Sequence, residues 1–215
     1  MEQQIIKSEV WTRTQVRNNI LKVWDATTEN DRFDWYGKAR NFAIDLTFHN
    51  MPQVTVTKAC GVIAALSPMV SWKRNMLLAE HIIMNPERWE KLGCLKSNAR
   101  KAYEIINSLN GSEDAILKIL HGRKTSAFFL NILYPEKAIS LTMDRHAISI
   151  AMGRKITKDE TKYFQLTAGQ YKFLVECYRW TAAKLGVNPL LLQSATWVLW
   201  RREGRNTELP YSLNF

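Results

Sequence analysis

Several protein classes can be set aside from what the chain lacks. No run of eighteen apolar residues occurs, and a helix needs about that many to cross a bilayer, so a membrane span is excluded. Only three cysteines are present, Cys60, Cys94 and Cys177, with four scattered histidines. Their spacing frames neither a zinc site nor an iron–sulfur cluster, so buried free thiols are expected, with no metal and no cofactor. No internal repeat, low-complexity tract or series of alternating strands is present, which argues against solenoids, sandwiches and barrels. The opening MEQQIIKSEVWTRTQ has no charged-then-apolar signal pattern, so a cytoplasmic location is expected.

Acidic residues are also in the minority, 20 against 30 Lys and Arg, leaving a net charge of +10 and a pI near 9.6. Basic surfaces attract phosphate chains and release their counterions, so a nucleic-acid partner is expected. The basic groups are spread over SWKRN, LKSNARK, HGRKT, MGRKITK and WRREGR. A binding face must therefore be assembled by folding, since no single tail carries it. At 215 residues and 46% hydrophobic, the chain can build one core or two joined lobes.

The apolar residues recur at helical spacing. In TRTQVRNNILKVWDATTE, Val16, Ile20, Val23 and Trp24 share a side, with Thr12 or Thr14 available as N-cap. NDRFDWYGKARNFAIDLTF aligns Phe33, Tyr36, Ala39, Ala43 and Leu46. TVTKACGVIAALSP is apolar on most sides and ends at Pro68, the pattern of a buried helix. SWKRNMLLAEHIIM opens on a Ser cap and closes before Asn85-Pro86, and SNARKAYEIINSLNG starts at Ser97, turns Ala99, Ala102, Ile105 and Ile106 inward and stops at Gly111. SEDAILKIL predicts a short helix. Toward the C-terminus, LTAGQYKFLVECYRWTAAKLG turns Phe173, Val175, Cys177 and Trp180 inward and stops at Gly186. NPLLLQSATWVLWRREG has an Asn cap, Pro189 at its first position and Gly204 past its end. Only AISLT, 138–142, reads as extended. The fold class predicted is all-α.

Residues 121–153, HGRKTSAFFLNILYPEKAISLTMDRHAISIAMG, place two polar helix starts in one stretch. A helix from Lys124 to Leu133 runs roughly 15 Å at 1.5 Å per residue. After the turn at YPEK, an extended AISLTM covers up to about 20 Å on its return. Asp144 can therefore come back to the level of Lys124. Helix starts carry unpaired N–H groups, which favour phosphate beside Gly122, Arg123, Lys124 and Thr125 and stabilise negative charge at Asp144. A fixed carboxylate suits glycosidic cleavage, where positive charge builds on the sugar, and a lysine nearby could attack the anomeric carbon to form an imine. Each residue alone also has a plain structural account: Asp144 as an N-cap, Lys124 as a solvated charge, His146 as a packing histidine.

GRKTSAFFLNILYPEKAISLTMDRHAISIAMG resembles the core of the helix–hairpin–helix (HhH-GPD) DNA glycosylase superfamily. VTKACGVIAALSPMVSWKRNMLLAEHII and LKSNARKAYEIINSLNG are similar to its upstream helices, so the resemblance covers about residues 50–153. LSPMVSWKRN, GRKTSAFFLNI, DRHA and QSATWVLWR also resemble a phage-associated branch linked to hypermodified pyrimidines, which includes α-glutamyl/putrescinyl-thymine pyrophosphorylases and modified-base glycosylases. The chain departs from the superfamily in its hairpin, KILHG, which keeps one glycine, Gly122. It also has a longer Lys124-to-Asp144 gap than endonuclease III and lacks that protein's C-terminal cysteine cluster.

The resemblance implies a two-lobed HhH-GPD-like fold with its active-site cleft between lobes. Residues 1–50 plus 144–215 would form a terminal lobe, and 51–143 a central lobe with a degenerate helix–hairpin–helix at about 113–133. It implies Asp144 as the catalytic carboxylate and Lys124 as the imine-forming lysine of bifunctional members. Gly122, Arg123 and Thr125 then meet DNA phosphate, with Lys73, Arg74, Arg145 and Arg201 as further DNA contacts. Ser67, Trp72, Asn75, His146, Gln193 and Trp197 would line the base pocket. Base flipping costs a few kcal/mol, and Trp72 and Asn75 would offset it by stacking and edge hydrogen bonding. Gln193, Trp197 and Arg201 fall on successive turns of one helix face. The expected function is that of a monomeric DNA glycosylase that hydrolyses the bond to a modified, pyrimidine-type base. The alternatives are a base-modifying enzyme of phage DNA and a non-catalytic DNA-binding module.

Overall fold

The computed structural model describes residues 3–6, 9–50, 54–156, 160 and 166–203. Apart from one short hairpin, the architecture is all-α. The hairpin pairs β1 (Gln3–Ile6) with β2 (Glu9–Trp11) antiparallel, with Gln3 opposite Trp11 and Val10 opposite Gln4. The helices are α1 (Arg13–Asp25), α2 (Trp35–Asn50), α3 (Val56–Leu66), α4 (Trp72–Met84), α5 (Lys96–Asn107), α6 (Glu113–Leu120), α7 (Arg123–Leu133), α8 (Arg145–Met152), α9 (Ala168–Leu185) and α10 (Pro189–Glu203). Short 3-10 turns cover Glu29–Asp31 and Pro86–Lys91. No helix among the described residues is long and apolar enough to cross a membrane.

Local chemistry sets the helix ends. Thr12 and Gln15 form a reciprocal capping box at the start of α1, and Thr167 with Gln170 repeats it for α9. Thr55, Ser71 and Ser112 cap α3, α4 and α6 through their hydroxyls. Asn188 Oδ1 accepts from the Leu190 N–H at 2.7 Å, directly before the Pro189 start of α10. α9 stops at Gly186 in the left-handed region. α5 runs from Lys96 to Asn107, starting one residue before Ser97 and ending four residues before Gly111. The expected stop at Gly204 lies outside the described residues.

The chain divides into a terminal unit, Met1–Trp35 with Leu141–Phe215, and a central unit, Tyr36–Ser140. Beyond its first residue α2 belongs to the central unit, not to the terminal lobe expected for residues 1–50. Tyr36 meets the Phe128 ring edge-on at 6.2 Å, and the Arg40 guanidinium donates to the Leu133 carbonyl.

The central unit is organised around α3, packed against α4, α5, α6 and α7. Every residue from Lys58 to Leu66 is buried, as an all-round apolar helix requires. Three helices in this unit end on a cation from elsewhere. Lys58 Nζ donates to Ile106 O in the last turn of α5 at 2.8 Å, Lys101 Nζ to Leu120 O at the end of α6 at 2.8 Å, and Arg40 to Leu133 O at the end of α7. Terminal carbonyls lack intrahelical donors and carry the negative end of the helix dipole, so a cation satisfies both needs. Gly111 has φ +50°, and a Cβ there would come within 2.7 Å of Lys58 Cε, so glycine admits the lysine stem.

In the terminal unit α1, α8, α9 and α10 pack on one another. Asp31 is 1% exposed; it accepts from the Thr28 N–H and hydroxyl at 2.9 Å and from Arg202 at 2.5 and 3.1 Å, tying the end of α10 to the turn after α1. α8 ends on a neutral donor, Asn19 Nδ2 to Ala151 O at 3.0 Å. Trp180, read from sequence as inward, is 42% exposed. The buried stripe of α9 runs through Phe173, Leu174, Cys177, Tyr178, Thr181 and Ala182, and Trp180 falls beside it. Residues 138–144 belong to no helix and pair with no strand; Ala138, read from sequence as the start of an extended stretch, is left-handed at φ 45°.

Candidate functional site

The site is built where the segment 138–144 meets α8. Leu141, Thr142 and Met143 are buried and belong to no sheet, so their backbone groups need other partners. Side chains supply them. Gln193 Nε2 donates to Thr142 O at 2.5 Å while the Thr142 N–H donates to Gln193 Oε1 at 3.3 Å. The Tyr171 hydroxyl donates to Leu141 O at 2.6 Å and accepts from the Met143 N–H at 3.3 Å. One amide and one phenol thus stand in for a neighbouring strand. The segment delivers Asp144 to the start of α8 in a fixed position.

Asp144 is half-buried and caps α8, with Oδ1 accepting from the Ala147 N–H at 2.8 Å. Its other oxygen, Oδ2, accepts from Trp197 Nε1 at 3.1 Å. Each oxygen thus accepts one N–H and retains a second lone pair. The Trp197 ring is held in turn on several sides. Trp35 lies at 6.3 Å and 57°, His146 meets the ring edge-on at 6.0 Å and 87°, and the Arg201 guanidinium sits 4.6 Å from its centroid. Beneath α8, the fully buried Tyr178 donates to Ala147 O at 3.0 Å. Burial, and then the nearby Asp144 carboxylate, push its phenol well above the usual range, so it stays a neutral donor.

Within the terminal unit Asp144, His146, Trp197 and Arg201 are therefore gathered at one place, with Arg145 half-exposed beside them. Gln193 is corrected in role: it is 3% exposed and both ends of its amide bind Thr142, so it positions the segment and does not read a base. Tyr171, Tyr178 and Trp35 belong to the same constellation and were not singled out from sequence. Tyr171 and Tyr178 carry no local signal that separates them from core tyrosines. Trp35 opens α2, is 8% exposed and supports the indole that holds Asp144.

The other candidates belong to the central unit. α6 and α7 are joined by His121 and Gly122 alone, with His121 left-handed at φ 59°. Gly122 is the N-cap of α7 and provides no side-chain cap, while Arg123 and Lys124 are exposed and Thr125 is half-exposed. Trp72 is half-buried and meets Phe42 edge-on at 6.4 Å. Lys73 and Arg74 are exposed on the same turn. Asn75 is corrected in role: it is 2% exposed and its Nδ2 donates to Ile63 O at 3.0 Å, clipping α4 to α3. Ser67 closes α3 through a bond from Oγ to Ala64 O at 2.9 Å.

No group of three or more His, Cys, Asp or Glu side chains that could hold a metal occurs among the described residues. All three cysteines are free, and burial pushes the Cys60 thiol up to about 12. No curated protein and no solved structure matches the chain. Residues 2–204 match a family model described as a family of unknown function, DUF7178. Since that match spans nearly all of the 215 residues, the chain belongs to this family.

Proposed function

We propose that the protein is a DNA glycosylase that takes a modified, pyrimidine-type base out of the stack and hydrolyses its N-glycosidic bond. The observation that carries this reading is the setting of Asp144, a partly accessible carboxylate fixed by a helix cap and an indole N–H beneath a cationic, aromatic rim. In this reaction the bond from the base nitrogen to C1′ breaks first, and its electron pair leaves with the base. Positive charge then builds on the sugar, and a rigidly held carboxylate lowers that barrier because it needs no reorganisation. Water adds its oxygen to C1′ with Asp144 orienting it, and its proton passes to solvent or the departing base. The net charge of +10 supports a polyanionic substrate. Water is the preferred nucleophile; attack by Lys124 would add strand cleavage through an imine.

The test incubates the protein with phage DNA carrying modified bases and counts abasic sites with an aldehyde-reactive probe. Asp144→Asn should lower base release about 10²–10⁴-fold while the protein remains folded. Full activity in that variant would refute the assignment. Borohydride trapping of an adduct that Lys124→Ala abolishes would replace water by lysine. New base masses with the glycosidic bond intact would point instead to base modification.

A further inference from the structure

Trp180 is the one large apolar side chain exposed in the terminal unit among the described residues, whereas the central unit exposes several, including Phe48, Met69 and Leu109. Its surroundings are cationic. The Arg17 guanidinium from α1 lies 4.0 Å from the ring centroid, and Lys184 Nζ, one turn further along α9, lies 5.6 Å away. Lys172 and Arg179 are exposed on the same helix. The acid on this face, Glu176, is already paired with Arg13 at 2.8 Å. That guanidinium, with Lys172 beside it, holds the Glu176 carboxyl below the usual range, so it stays charged within its pair. Arg17 Nε is buried without a hydrogen-bond partner, and the guanidinium also hydrogen-bonds the buried Cys177 thiol. The Arg17 cation over the indole, with Lys172, Arg179 and Lys184 along α9, gives this face a positive charge that favours an oxyanion.

We infer that this α1/α9 face, centred on Arg17 and Trp180, is a phosphate-backbone contact surface for a nucleic-acid strand, separate from the Asp144 site. Tyr178, two residues before Trp180, turns inward to the Ala147 carbonyl, and two residues rotate the helix by about 200°. The Trp180 face therefore looks away from α8. From Lys172 to Lys184 the helix runs about 18 Å at 1.5 Å per residue, a length that spans roughly five phosphates of one strand at 3.4 Å each. A lipid surface is the poorer match, because insertion needs an apolar face and Trp180 is a single aromatic ringed by charge. An acidic protein is poorer too, because cations strung over about 18 Å of one helix suit a regularly spaced phosphate chain.

The inference is tested on the full chain with a fluorescein-labelled 20-nucleotide strand of mixed sequence and its duplex, without reference to catalysis. Lys172→Glu with Lys184→Glu, both exposed and so compatible with folding, should weaken binding about tenfold near 100 mM salt. It should also reduce the slope of log affinity against log salt by about 2. The readout is binding alone, with no base release counted, so failure of the glycosylase reading leaves this result unaffected. Trp180→Phe should remove part of the emission change that accompanies binding. An unchanged affinity and salt slope in the double variant overturns the inference. So does a parent protein that ignores both oligonucleotides yet binds anionic vesicles or polyglutamate.

Discussion

The two units of this chain use positive charge differently. In the central unit cations from one helix close the carbonyl end of another: Lys58 on α5, Lys101 on α6 and Arg40 on α7. In the terminal unit they lie on rings, with Arg13 over Phe173, Arg17 over Trp180, Arg32 over Trp24 and Arg201 over Trp197. Crossovers occur in both units. Arg32 also donates to the Trp24 carbonyl, and Lys137 lies over Tyr134. The difference teaches that a net charge of +10 is not +10 of binding surface. Charges on helix ends are structural, whereas the cations over Trp180 and Trp197, rings that are not buried, leave positive charge at the surface.

The largest effect is expected at Arg202→Leu, which leaves the Asp31 carboxylate buried without its guanidinium. The loss should be about 3 kcal/mol by urea unfolding, the low end for a buried pair because Arg202 is 30% exposed. Burial alone would raise the Asp31 pKa, but hydrogen bonds from Thr28 and Arg202 outweigh it and hold the carboxyl below its usual value. The folded state then binds fewer protons than the unfolded state in this range. Its contribution is present above about pH 4 and fades as the pH falls through the lowered value. Acid titration of stability should show that fading in the parent and a shallower one in Arg202→Leu.

Next comes Lys58→Met, which keeps the stem against Gly111 and removes the ammonium from Ile106 O. It should cost about 2 kcal/mol in thermal or urea denaturation. Trp197→Phe preserves the ring cluster and removes the N–H from Asp144. Base release should fall about tenfold, equivalent to 1.4 kcal/mol, with a smaller change in stability. The smallest effect is expected at Arg17→Met, about 0.5–1 kcal/mol for a partly exposed cation over an indole. If Arg17→Met cost as much stability as Lys58→Met, the distinction between structural and ligand-facing cations would fail.

Much of the fold was legible because its signals are local. The Thr12 cap, the Ser71 cap, the all-round apolar α3, and the Asn188-Pro189 start with the Gly186 stop before it are each set by neighbours a turn away. Trp180 was misread because it lies beside the stripe of α9, where helical spacing alone cannot place the edge of a buried face. At the candidate site Asp144 could be read as a capping carboxylate, and Gln193, Trp197 and Arg201 as one face of α10. Their roles could not. Gln193 and Asn75 look like base-reading amides in a list of residues, yet their bonds go to the Thr142 and Ile63 backbones, which lie on other segments.

Where most helices start and stop, that the chain is basic, and that a carboxylate would stand at the start of α8 could all be read along the chain, since caps and periodicity act over a few residues. Only the tertiary structure decided which partner each polar group took. It set the Trp197 indole on Asp144, the Tyr171 and Gln193 side chains on a segment that pairs with no strand, and three cations on distant helix ends. A buried donor or acceptor must find a partner wherever packing brings one, and that choice is made across the fold, not along the chain.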